Sequence, residues 1–431
     1  MIMDGIIKDV VGSLLERMRE LETIKGPPMV HGFNWLRIAG LGERAKHGKP
    51  LTEAYGSSRS LLGFDDLMFI PAQIDKFPTD YNMVNTMTTI GPKAAKPMTI
   101  STPIMISAMA FGLSVTHRIK VAVAKGSALA DTATNSGDAG FFLEERKHAK
   151  NYILQYNRAH YGNTDEDLKR ADMIEIRFGQ GAMGGLVETV DGADVDEALA
   201  MQLRVKAGQS LSRPLVYPEL SEGKTLPDMV SRLREVTGGV PIGVKVAAGN
   251  IEADIDKIID AGCDFLTIDG ASGGTANAPE VTINNLGVPL VYAIPRANSH
   301  LIKRGVRDKM NLIVTGGLRD AGDFLKALAL GADALYIAES ALVAMTYSQW
   351  QKVPIGTAPA ELFLYWGKHG DKFNIDEGSK ALANFLTAST QEMAILTAAV
   401  GKNDISQVNM DDMISLTEVT TRITGVKEAW I

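Results

Sequence analysis

Along residues 96–350, short apolar runs alternate with segments whose apolar positions recur every three or four residues. The runs are Pro103–Ala108, Ala128–Thr134, Tyr152–Tyr156, Met173–Phe178, Ile242–Ala247, Phe265–Asp269, Leu312–Thr315 and Ala334–Ala338. Most are continuous in hydrophobic residues rather than alternating, which is the pattern of parallel strands covered on both faces. Between them, Ser114–Gly126, Ile251–Gly262 and Ala321–Gly331 have helical spacing and end on a glycine suited to a helix C-cap. Eight runs, most followed by a helix, predict an α/β fold, a closed (β/α)8 TIM barrel rather than an open doubly wound sheet. The third run carries the faintest pattern.

The flanks have a different texture. Residues 1–95 open with Ile6, Ile7, Val10, Val11, Leu14, Leu15 and Met18 at helical spacing, then turn rich in glycine and proline. They predict an N-terminal helix and a loop-rich extension, the helix packed on the main domain or on a second subunit. Membrane-surface binding is the alternative reading of that helix. Residues 351–431 begin with the Pro- and Gly-containing stretch Val353–Pro359 and then read mostly helical, a C-terminal extension. The expected organisation is therefore 1–95, a barrel over 96–350, and 351–431.

Composition narrows the partners. A net charge of −7 with no basic run gives no footprint for nucleic acid. The one cysteine, Cys263, cannot form an internal disulfide, as in a reducing compartment. No apolar stretch approaches the roughly 20 residues that span a bilayer, and Asp4, Lys8 and Asp9 interrupt any signal-peptide core. A cytoplasmic protein that does not enter membranes is expected. His117, His148, His160 and His300 form no i, i+4 pair with another histidine, so no metal site is expected, and they read as surface or capping residues.

Candidate chemistry collects where strands end, the ligand face of a barrel. After the sixth strand comes Asp269-Gly270-Ala271-Ser272-Gly273-Gly274-Thr275-Ala276, whose glycines let backbone N–H groups approach a ligand. After the seventh comes Thr315-Gly316-Gly317-Leu318-Arg319, opening a helix at about Asp320 and offering a phosphate cradle. For each glycine loop a plain structural turn is the alternative. Ser107, Ala108 and Met109 give the small surface a planar ring needs, and the second strand ends in Asn135-Ser136-Gly137-Asp138. Asp138 is the best acid/base candidate there, with a solvated loop carboxylate as the other reading. Lys245, inside the fifth strand, is costly in a barrel interior unless an anion meets it, a reduced cofactor or a substrate carboxylate; the other reading is a lysine that points outward or pairs with an Asp or Glu.

These loops, in this order, resemble the FMN-binding synthase domain of glutamate synthase. The resemblance is carried by Ser107–Gly112, Asn135–Gly140, Glu175–Ala182, Val244–Val246, Ser272–Pro279, Thr315–Arg319 and Ala327–Ala334, and covers roughly residues 63–345. Gly63–Phe69 and Gly401-Lys402 are similar to stand-alone members, of the N-methylglutamate synthase kind. The resemblance implies FMN as cofactor. Ser107, Ala108 and Met109 would line the flavin, Asn135 and Lys245 would lie near its polar edge, and Gly273, Gly274, Gly316 and Gly317 near its ribityl phosphate. Gln180 would face the 2-oxo acid, and Arg204 would bind a substrate carboxylate. Lys245, Asp138 and Gln180 would carry the chemistry.

Three departures qualify what the resemblance implies. The cysteine-rich segment after the eighth strand is absent, and one cysteine cannot hold a four-thiolate iron–sulfur cluster. Met183 stands where the family has a lysine, which puts 2-oxoglutarate as substrate in doubt. Ala338 replaces a glycine after the eighth strand and Glu339 follows it, unfavourable beside a phosphate unless that side chain turns away. No N-terminal glutaminase nucleophile is seen, so ammonia would come free or from a glutaminase-like partner, and electrons from a soluble donor or a partner protein. The expectation is an FMN-dependent oxidoreductase reducing an imine or similar small amino- or oxo-acid substrate, and a homo-oligomer. Alternatives are a subunit of an N-methylglutamate synthase-type transferase, an isomerase using reduced FMN, and a barrel that has lost its flavin. A 2-hydroxy-acid oxidase would carry a catalytic histidine in the loop after the sixth strand, where this chain has Gly270-Ala271-Ser272.

Overall fold

Eight short runs of the chain pair into one all-parallel sheet. The strands are β1 (Ile104–Ile106), β2 (Ala133–Asn135), β3 (Asn151–Tyr156), β4 (Met173–Arg177), β5 (Ile242–Ala247), β6 (Phe265–Asp269), β7 (Asn311–Thr315) and β8 (Ala334–Ile337). Ladders run β2 to β8 in sequence and then from β8 back to β1. At the remaining seam, between β1 and β2, the Thr132 hydroxyl donates to the Ile104 carbonyl (2.6 Å) and the Ser101 N–H to the Asp131 carbonyl (3.0 Å). The sheet is thus a (β/α)8 TIM barrel. This computed structural model describes residues 41–430 apart from 43, 50–58, 188, 272, 274–277 and 356. The expected N-terminal helix lies outside the described residues. Residues 1–51 and 52–431 are separate compact units, and in the first a short helical stretch runs from residue 44 to 47.

A helix follows each strand. They are α1 (His117–Leu129), α2 (Leu143–His148), α3 (Asp165–Leu168), α4 (Leu226–Thr237), α5 (Ile251–Asp260), α6 (Leu290–Lys303), α7 (Ala321–Ala329) and α8 (Glu339–Thr346). A long helix, α9 (Ile375–Ala399), packs along α1. The second predicted strand overreached, because residues 128 and 129 belong to α1. Gly126 does not cap that helix. It lies inside α1, where a Cβ would come within 2.9 Å of Leu382 and of the Ser379 carbonyl on α9, so glycine permits the two helices to touch.

The interior is layered with the two-residue period of strands. Its lowest layer is apolar: Met105, Ala133, Ile153, Met173, Phe265, Ile313 and Ala334, one residue from each of seven strands. From β5 comes Gly243, whose missing side chain leaves room for the Phe265 ring, since a Cβ there would sit 2.5 Å from it. A hairpin of Thr88–Ile90 against Met98–Ile100 closes the N-terminal end with Ile90, Met98 and Ile100. Two residues further along, the interior turns polar. Glu175 on β4, fully buried, accepts from Asn135 Nδ2 (3.0 Å), Gln155 Nε2 (2.9 Å) and Thr267 Oγ1 (2.9 Å) on three other strands. Gln155 interrupts the apolar run of β3, which explains the faint sequence pattern there. Outward-facing Ile174, Ile176, Val244, Leu266, Ile268 and Val314 join the core beneath the helices. Among the described residues no helix is long and apolar enough to cross a membrane.

Candidate active site at the C-terminal face of the barrel

One more step up, the strands deliver charge. Lys245 pairs in register with Thr267, so its side chain rises toward the next inward residue of β6, Asp269. Its Nζ lies 3.0 Å from Asp269 Oδ2, with both side chains buried. A protein carboxylate therefore meets this lysine, one of the readings the sequence left open. Among the described residues, Asp269 Oδ1 is buried without a hydrogen-bond partner. It lies directly under the backbone of Gly273, where a Cβ would come within 2.2 Å of it, so no other residue fits there without a shift. Gly274 lies outside the described residues.

A second cluster joins the ends of β2 and β4. Asn135 spends its side chain on the protein, donating to Glu175 and accepting the Gly137 N–H (3.0 Å). That fixes the turn in which Gly137, at φ +71°, abuts the backbone of Ala110 in the loop after β1. Asp138 is buried rather than solvated. Its Oδ2 accepts from Arg177 and from Arg213 Nη1 (2.7 Å), while among the described residues Oδ1 has no hydrogen-bond partner. In the loop after β1, Ser107 is buried and donates its N–H to the Ile337 carbonyl (2.9 Å), Met109 is buried, and Ala108 is partly exposed.

Gln180 sits in a tight turn, its N–H donating to the Gly184 carbonyl (3.1 Å) and its carbonyl accepting from Gly184 (2.8 Å). Its side-chain Nε2 is 3.8 Å from the sulfur of Met183. Met183 is buried with Ala182, Ala278 and Ile283, an apolar nest between the loops after β4 and β6.

Arg204 is held by a carboxylate of the protein itself. It caps the helix Glu197–Leu203 at φ +60°, its side chain half exposed, and pairs with Asp167 at 2.8 Å. The guanidiniums gathered beside Asp138 are those of Arg177 and Arg213. Arg213 escaped the sequence reading because nothing local marks it; its contact is with a residue 75 positions away. The hub role of Glu175 was legible in principle, from a polar residue at an inward position two after Met173.

Gly316 and Gly317 lie between the helix after β7 and the start of α8. The helix after β7 is closed at its N-terminus by its own carboxylates: Asp320 accepts the Asp323 N–H, and Asp323 holds the Arg319 side chain. Beside it, α8 begins after Ala338, which makes no side-chain cap bond. Ser340, in its first turn, donates to the Leu318 carbonyl (2.8 Å), tying α8 to the loop in which Gly316 and Gly317 both have positive φ (+112° and +72°). Glu339 is exposed. Gly316 also packs the β7 loop on the β6 loop, since a Cβ would come within 3.0 Å of the Gly270 carbonyl.

Residues 55–403 match the conserved region in glutamate synthase. The chain belongs to the glutamate synthase family. It is 31% identical over 385 residues to a glutamate synthase large subunit-like protein of Rhizobium meliloti, covering 84% of this chain and 86% of that one. An archaeal-type NADPH glutamate synthase of Thermotoga neapolitana is 28% identical over 424 residues, covering 91% of this chain and 83% of the relative. As a glutamate synthase-like protein it is an enzyme of the oxidoreductase class. Among solved structures, a flavocytochrome b2 double mutant with pyruvate bound shares the fold at a TM-score of 0.50 and 16% identity, over 81% of this chain and 76% of that one. A putative lactate oxidase of Pediococcus acidilactici does so at 0.50 and 15%, over 82% and 84%. Both likenesses are of fold.

Proposed function

We propose that this glutamate synthase-like chain is an FMN-dependent oxidoreductase that reduces an imine, or a similar unsaturated derivative, of a small amino or oxo acid. The observation that carries the reading is the junction of the Gly316-Gly317 loop with the uncapped first turn of α8. Helix N–H groups without a side-chain acceptor, beside two glycines, suit a phosphate monoester. FMN, when bound, supplies hydride-transfer chemistry. Gly316, Gly317 and the first turn of α8 would hold its phosphate, and Gly273 and Gly274 the adjoining chain. Ser107, Ala108 and Met109 would line the ring, with Asn135 and Lys245 at its polar edge.

The chain's own groups then divide the remaining work. Asp269 holds Lys245 in place, so its side chain is oriented before anything binds. Gln180 can donate from its amide to a substrate carbonyl or imine, and Asp138 can hold or release a proton at Oδ1. Electrons would come from a soluble donor or a partner protein, and ammonia, where used, free or from a glutaminase-like subunit. The protein would act as a homo-oligomer.

The decisive measurement is the absorption spectrum of the purified protein, followed by identification of any chromophore released on denaturation. A flavin double band and free FMN are expected. A protein that stays colourless after incubation with FMN would overturn the proposal.

A further inference from the structure

We propose that Arg158 is a positioning residue that fixes the turn carrying Gln180 from outside. The inference rests on the reading above that Gln180 faces substrate. Residues 178–185 run Phe-Gly-Gln-Gly-Ala-Met-Gly-Gly, four glycines in eight residues, so the turn has little stiffness of its own. Its geometry must be imposed by neighbours.

Arg158 follows β3 directly and reaches across to the loop after β4. Its Nη1 donates to the Gly185 carbonyl (2.7 Å) and its Nη2 to the Phe178 carbonyl. Those two carbonyls bracket the turn, so one guanidinium ties its entrance to its exit. Within the bracket lie the reciprocal Gln180–Gly184 bonds and the Met183 N–H to the Gln180 carbonyl (3.0 Å). The base is anchored again from β5, where the Lys245 carbonyl accepts the Phe178 N–H (2.9 Å). At the tip, Gly181 is pressed on the Gly270 carbonyl so closely that a Cβ would come within 2.1 Å.

The chemistry suits a clamp. Arg158 is only 9% exposed, and among the described residues no carboxylate forms an ion pair with it. Burial pushes its guanidinium below the usual range, and the charges of Arg177 and Arg213 add to that. A desolvated cation held by neutral carbonyls is justified by two charge-assisted hydrogen bonds to fixed acceptors. A planar fork spans both carbonyls; a single ammonium is a point donor and does not reproduce that geometry.

The test is hydrogen–deuterium exchange on the full chain, comparing wild type with Arg158→Lys and Arg158→Ala. Amides of residues 180–185 should exchange at least about tenfold faster in both variants, while β6 to β8 and the thermal midpoint change little. Methylguanidinium at low millimolar concentration should slow exchange of that segment in Arg158→Ala and leave Arg158→Lys unchanged. Unchanged exchange at 180–185, acceleration spread evenly over the barrel strands, or full protection in the lysine variant would each overturn the inference. Should the alanine variant not fold, the lysine variant still decides between local loosening and none. None of these readouts depends on bound flavin, so a colourless protein with a loosened turn would reject the FMN reading and keep the clamp.

Discussion

Lys245 Nζ lies 3.0 Å from Asp269 Oδ2, inside the barrel and away from water. Each partner removes the reason the other would be unstable there. Asp269→Asn should leave a buried ammonium without its carboxylate and cost about 3–5 kcal/mol. Lys245→Met should cost a similar amount by stranding Asp269, whereas Lys245→Met with Asp269→Asn should cost less than the sum of the two. Urea unfolding of the four proteins gives the coupling energy, and additivity would show that the pair is not coupled.

Gly316 has φ +112° and faces the Gly270 carbonyl and the Gly273 N–H at 3.0 Å from where a Cβ would stand. Gly316→Ala should shift the loop away from α8. We expect FMN affinity, followed by quenching of flavin fluorescence, to fall about tenfold or more, which is about 1.4 kcal/mol. Unaltered affinity would detach this loop from the phosphate.

Arg204 and Arg177 should behave differently. Arg204 is half exposed and paired with Asp167, so Arg204→Ala should cost no more than about 1 kcal/mol. Arg177 is buried on Asp138, and Arg177→Met should cost several-fold more by leaving that carboxylate less paired. Chemical denaturation of both variants checks the ranking. The reverse order would return Arg204 to importance.

Asp131, at the seam between β1 and β2, has its carboxyl held below the ordinary value, first by Lys150 and then by the Ser101 hydroxyl. A carboxylate lowered in the folded state contributes stability that is fully present above its unfolded value and is lost as pH falls through the folded one. The denaturation midpoint should therefore drop below about pH 4, and more steeply in wild type than in Asp131→Asn. Parallel profiles would remove Asp131 from the acid response.

Cys263 is buried, and burial pushes its thiol up to about 12. Almost no thiolate is then present at neutral pH, and the thiolate is the form that reacts. Iodoacetamide should label the folded protein far more slowly than the urea-unfolded chain, as mass spectrometry would show. Equal rates would mean that β5 to β6 opens readily.

The barrel was written locally. Each strand's apolar run reflects its own burial under helices, and burial on both faces is a property that a stretch of five residues carries by itself. The glycine loops are local in the same way, and their order along the chain was enough to carry the family resemblance. Where an interior residue turned polar, as Gln155 does to serve Glu175, the local pattern weakened, and β3 became hard to read.

Pairing was not local, and there the tertiary structure decided. The chain order does not say that Lys245 meets Asp269, that Arg213 rather than Arg204 reaches Asp138, or that Arg158 spans the Gln180 turn. It does not say that Ser340 ties the first turn of α8 to the loop after β7. The physical reason is range. Hydrophobic periodicity follows from which face of one element is dry, whereas a buried charge takes whichever partner the closed barrel places within about 3 Å.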